Sequence, residues 1–156
     1  KETGGQDMIL SAQTIRKLGI FEPFCERTKL NGMSYGLSAA GYDVRVREEI
    51  TLAPGGSSLA STVERFTMPL DVLGKVADKS SWARQFLTVQ NTIIEPGWEG
   101  YLTLELTNHS QSTLHIPAGA PIAQIILHRL DEPTEQGYDG KYQRQASEPT
   151  PTIFEF

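Results

Sequence analysis

A chain of 156 residues with a formal net charge of −5 has the size of one domain with one hydrophobic core. The acidic balance argues against a protein that coats nucleic acid, which needs a basic face to displace counterions. The single cysteine, Cys25, supplies neither a disulfide framework nor a set of thiolates for zinc. No apolar run approaches the roughly 20 residues of a membrane helix. The composition reads as a protein without membrane or nucleic-acid partners in a reducing, cytoplasmic setting, that of a bacterium or of a host cell if the source is viral.

Residues 1–7, "KETGGQD", are polar and aperiodic, and are expected to be a disordered lead or cloning remnant ahead of a natural start at Met8. From Ser11 the pattern predicts a helix of about two turns: Ser11 caps it, Ile15 and Leu18 share a face over Leu10, and Gly19 stops it. "FEPFCERTKLNGM", with its proline and polar residues, reads as a loop. After it come short stretches rich in β-branched and aromatic residues: "YDVRVREEITL", "STVERFTMPL", "LGKVAD", "FLTVQNTII", "GYLTLELTN", "STLHIPAG" and "APIAQIILHRL". Breaks at "APGG", "EPGWEG", "NHSQ" and "PAGAP" give the spacing of a β sandwich or barrel over residues 8–130. Residues 131–156 are polar and proline-bearing and read as a C-terminal arm with few contacts of its own.

Period two places the chemistry. In "YLTLELT", Leu102, Leu104 and Leu106 share one strand face and fill the core, while Tyr101, Thr103, Glu105 and Thr107 share the other. On an open sheet face Glu105 would be an ordinary solvated carboxylate, so a chemical role needs partners. The stretch "ADKSSWAR" offers them: Ser80 and Arg84 to orient a carboxylate and a water, and Lys79 with the serine hydroxyls and amides to hold phosphate oxygens. His109, His115 and His128 follow no metal-ligand spacing and read as structural or surface residues.

Five blocks in order resemble the dCTP deaminase family, which shares its fold with the trimeric dUTPases. They are "SYGLSAAGYDVRV" (34–46), "KSSWAR" (79–84), "IEPGWEGYLTLELTN" (94–108), "GAPIAQIIL" (119–127) and "GYDGKYQRQ" (137–145). The resemblance implies a mainly β, distorted jelly-roll-like barrel with a short N-terminal helix, assembled as a homotrimer with active sites at subunit interfaces. It makes Ser80, Arg84 and Glu105 catalytic. It assigns nucleotide binding to Lys79, Ser81, Asn91, Glu95, Gln124, Tyr138, Lys141 and Gln145. Glu95 meets the deoxyribose 3′-hydroxyl, and the arm closes over the triphosphate and excludes water. Asp43 and Arg45 are held as structural or trimer-forming. Mg²⁺ is implied as a companion of the triphosphate, with no dedicated protein cage.

The implied reaction, dCTP to dUTP and ammonia, needs a water driven onto C4 and protons delivered to the ring nitrogen and to ammonia. One well-placed carboxylate can shuttle all of these. Most nucleobase deaminases use zinc held by a His and two Cys in an H-x-E and P-C-x-x-C context. With one cysteine and neither motif, this chain is expected to work without zinc. Three alternatives stand beside a monofunctional deaminase. A dUTPase would use an acid of "EPGW" against the α-phosphate. A bifunctional enzyme would go on from dCTP to dUMP and pyrophosphate. A nucleotide-binding regulator would have lost the chemistry. dTTP is a candidate inhibitor.

Overall fold

The structure, a computed structural model, describes residues 8–155, so the lead expected over residues 1–7 lies outside the described residues. Helix α1 (Ala12–Leu18) forms where the pattern placed it. Ser11 is extended at the N-cap but its side chain makes no capping hydrogen bond, a correction to the expected cap; Gly19 takes the left-handed conformation (φ 63°) that ends the helix, and Ile15 is buried. Arg16 and Lys17 fall in its last turn, where cations favour the helix dipole.

The strands are β1 (Met8–Ile9), β2 (Phe21–Glu22), β3 (Thr28–Leu30), β4 (Met33–Ser38), β5 (Gly41–Arg45), β6 (Ile50–Leu52) and β7 (Ser57–Thr67). They continue with β8 (Val72–Asp78), β9 (Leu87–Val89), β10 (Ile93–Ile94), β11 (Glu99–Asn108), β12 (Leu114–Ile116) and β13 (Pro121–Arg129). One sheet runs β10-β8-β13-β5-β4-β3, with β1 added to β13; a second runs β2-β7-β11-β9, and β12 pairs with β6. All of the described pairings between these strands are antiparallel. The "FEPFCERTKLNGM" loop is a correction to the sequence reading. It holds β2 and β3, and β3 turns into β4 through Asn31 and Gly32, both at positive φ (50° and 81°) as a tight two-residue hairpin demands.

The core lies between the two large sheets. Tyr42 of β5 stacks on Phe21 of β2 at 4.1 Å, Phe21 meets Phe66 of β7 edge-on, and Phe66 meets Trp98 at 5.8 Å. Strand β7 carries an irregularity: its partner register on β11 jumps from Arg65↔Tyr101 to Ser61↔Thr103, so Thr62 to Glu64 lie opposite Leu102 alone. Thr62 fills the gap with its hydroxyl, which accepts from Leu102 N at 3.0 Å, while an isolated bridge from Thr62 to Val46 ties the two sheets together.

Two later segments position the site. "KSSWAR" forms a four-residue helix, α2 (Ser80–Ala83), between β8 and β9. It is anchored by Trp82, which is buried and donates its indole N–H to the Pro121 carbonyl at 2.7 Å. The arm, expected to make few contacts, is laid along the "EPGWEG" turn. Tyr138 N donates to Pro96 O, Arg144 N to Glu99 O, and Tyr101 N to Gln145 O. Two glycines make room for it: a Cβ on Gly97 would stand 2.9 Å from Gly137 Cα, and one on Gly100 would stand 2.6 Å from Gln145 N. Among the described residues no helix is long and apolar enough to cross a membrane.

Candidate functional site

The arm and β11 enclose a cavity of about 630 Å³. Strand β11 gives it Leu102, Thr103 and Glu105; the segment before β11 gives Asn91, Ile93, Glu95 and Trp98; the arm closes it with Tyr138, Tyr142, Gln145, Thr150 and Thr152. The alternation in "YLTLELT" holds for Leu104 and Leu106, which are buried. Leu102 is half-buried and lines the cavity, because β7 bulges away opposite it. The other face, which an open sheet would expose, is covered by the arm, and Thr103 is only 7% exposed.

Glu105 is therefore desolvated within a single chain, before any partner subunit is considered. Its Oε2 is buried with no hydrogen-bond partner, and burial pushes its carboxyl above the ordinary carboxylate range, opposed only by its own backbone amide. The backbone at Glu105 is held on both sides. Its N–H donates to Asn91 Oδ1 at 3.1 Å, and its carbonyl accepts from Gln90 N at 2.9 Å. A fixed backbone carrying an unpaired carboxyl that favours its proton is a group prepared to exchange protons with a ligand.

The residues singled out from the sequence fall into two groups. Asn91, Glu95, Glu105, Tyr138 and Gln145 come together around the cavity. Asn91 has both ends of its amide engaged on β11, since Nδ2 also donates to Thr103 O at 2.8 Å, so it braces the strand that carries Glu105. Glu95 is exposed at the rim. Lys79, Ser80, Ser81 and Arg84 do not line the cavity. Ser80 and Arg84 are exposed on α2, and Lys79 is ion-paired with Asp43 at 2.8 Å, each side chain 11% exposed. Gln124, on β13, donates to Ser38 Oγ at 3.0 Å. Lys141 donates to the Ile153 carbonyl and lies over the Tyr142 ring, outside the cavity wall. Among the described residues no three His, Cys, Asp or Glu side chains gather so as to hold a metal ion.

Sequence reasoning missed four contributors. Thr103 was placed on the correct face without a role. Thr150 and Thr152 lie in a polar tail with no periodic signal. Trp98 packs on Phe66 and also donates its indole N–H to the Tyr142 carbonyl at 2.7 Å, fastening the arm.

A family model described as dCTP deaminase-like matches residues 41–130, more than half of the chain. A dCTP deaminase of Gluconobacter oxydans is 35% identical over 90% of this chain and 94% of its own length. Among solved structures, the EIAV dUTPase superposes with a TM-score of 0.58 at 23% identity, covering 78% of this chain and 97% of that one. A 2′-deoxycytidine 5′-triphosphate deaminase from Agrobacterium tumefaciens superposes with a TM-score of 0.65 at 16% identity, over 80% of this chain and 50% of its own. At those identities the two structures speak for a common fold.

Proposed function

The chain belongs to the dCTP deaminase-like family, and from that premise we infer that it hydrolyses dCTP to dUTP and ammonia, a reaction of pyrimidine deoxynucleotide supply. The observation that carries the reading is the Glu105 carboxyl, desolvated and with one oxygen unpartnered in a cavity of nucleoside size. Water attacks C4 of the base while Glu105 takes its proton. Glu105 passes that proton to the ring nitrogen, then carries the remaining proton of the new C4 hydroxyl to the amino group, and the C4–N bond breaks so that ammonia leaves and the C4 carbonyl forms. A carboxyl with a raised proton affinity suits both halves of this shuttle better than an ordinary glutamate.

The remaining roles complete the proposal. Ser80 and Arg84 orient the water and the carboxylate, and they do so from a second copy of the chain, because in their own chain they stand outside the Glu105 cavity. This favours a homotrimer with sites at its interfaces. Lys79 and Ser81 belong to the same segment, and Lys79 reaches a phosphate only by releasing Asp43. Glu95 at the rim takes the sugar, and Tyr138, Lys141 and Gln145 of the arm take the triphosphate, with Gln124 contributing from β13. Mg²⁺ arrives with the triphosphate as part of the substrate. Zinc is not required, and the enzyme works in the cytoplasm.

One observation favours a second reading. Glu95 lines the same cavity as Glu105, so two acids are available for two hydrolyses, as a bifunctional enzyme forming dUMP and pyrophosphate would need. Incubation with dCTP and Mg²⁺, following ammonia, pyrophosphate and nucleotide products, separates the readings. The expected result is ammonia with dUTP accumulating. Ammonia with dUMP and pyrophosphate establishes the bifunctional form, and absence of ammonia overturns both.

A further inference from the structure

The arm meets β11 at one hydroxyl. Thr103 Oγ1 donates its only proton to Gln145 Oε1 at 3.2 Å and accepts the backbone N–H of Thr150 at 3.0 Å. Its own carbonyl accepts from Asn91, whose amide also holds the backbone of Glu105, two residues on. Two parts of the arm, the segment 137–145 and the strap 149–152, are thus tied through one buried side chain to the strand that carries the reactive carboxyl.

We propose that Thr103 is a positioning residue for substrate binding: it fixes the polarity of the Gln145 amide and clips the Thr150 strap over the Glu105 cavity. The inference rests on the deaminase reading for its substrate. The chemistry lies in the direction of the hydrogen bonds. Phosphate and sugar oxygens are mostly acceptors, so an amide that serves them has to present its NH₂ end. With Oε1 held by Thr103, NH₂ is the end of Gln145 left for a ligand. Without the hydroxyl, the amide rotates freely between a donor and an acceptor face. The strap at the same time loses an anchor that the glycine-lined crossing at Gly100 does not replace, since that crossing ends at Gln145.

Thr103→Val keeps the β-branched shape and removes both hydrogen bonds. It is expected to raise KM for dCTP about 10-fold while kcat changes by less than about 3-fold, the scale of losing one or two hydrogen bonds in a lid. Thr103→Ser, which restores the hydroxyl, is expected to bring KM back to within about 2-fold of wild type. Amide hydrogen exchange over residues 147–152 of the free protein reads the clip without substrate and is expected to quicken about 10-fold in Thr103→Val. Thr150→Pro removes the same N–H from the arm side without touching the barrel, and is expected to raise KM in the same direction. A Thr103→Val enzyme with wild-type KM, or with unchanged exchange over the strap, overturns the proposal. If the wild type releases no ammonia while Thr103→Val still loosens the strap, the deaminase reading fails and the anchoring stands.

Discussion

Glu64 on β7 and Glu105 on β11 sit on adjacent strands, and burial raises the proton affinity of both, but their company differs. Glu64 is fully buried and answered: Arg45 gives it a backbone N–H at 3.0 Å and its Nε at 2.8 Å, and the guanidinium is backed by the Tyr35 ring at 4.5 Å. Glu105 is half-buried, faces a cavity instead of a cation, and keeps one oxygen without a partner. A paired carboxylate in a low dielectric is structure, because both of its charge states are committed to the fold. An unpaired one beside a cavity is open to a partner from outside its own chain, a ligand or a neighbouring subunit.

Substitutions at Glu105 and beside Glu64 separate the two carboxylates. Glu105→Gln keeps the shape and removes the shuttle, so dCTP turnover is expected to fall about 10²- to 10⁴-fold with the fold intact by circular dichroism; turnover close to wild type would mean that another group moves the protons. Arg45→Leu leaves Glu64 buried and uncompensated, and is expected to cost about 3 kcal/mol of stability at neutral pH in chemical denaturation. Because the raised folded pKa of Glu64 favours the protonated form, the Arg45→Leu deficit should shrink as pH is lowered and Glu64 takes up its proton. A deficit that does not respond to pH would remove Glu64 from the explanation.

The smallest expected effect concerns Glu105 and stability. Its folded pKa is raised, so its contribution is favourable at low pH and is lost as pH rises through that value. Glu105→Gln, neutral throughout, should therefore gain thermal stability relative to wild type as pH rises from about 4, below the ordinary glutamate value, to about 8. Equal melting shifts at both ends of that range would mean that Glu105 is not desolvated in the empty protein.

Period two in residues 101–107 was enough to put Glu105 and Thr103 on the face away from the leucines, because one sheet face is core and the pattern records that directly. What covers the other face was not legible. The arm docks through backbone hydrogen bonds and glycine gaps, which require no apolar periodicity in residues 131–155. The hairpin at 28–38 was hidden by its polar composition, although Asn31-Gly32 carried the turn signal. Helix α2 has four residues, about one turn, so no helical period can repeat within it. The Lys79–Asp43 pair joins residues 36 apart in sequence, a contact only the tertiary fold creates.

The central claim is that Glu105 of one subunit works with Ser80 and Arg84 of another, and a mixing experiment tests it most directly. Chains carrying Glu105→Gln and chains carrying Arg84→Ala, each inactive alone, are co-expressed and the mixed oligomers purified through two different tags. In a mixed trimer of either ratio about one interface in three joins an intact Glu105 to an intact Arg84, so the account predicts recovery of about a third of wild-type dCTP deamination. Mixed oligomers that remain as inactive as either parent would contradict it and confine the site to a single chain.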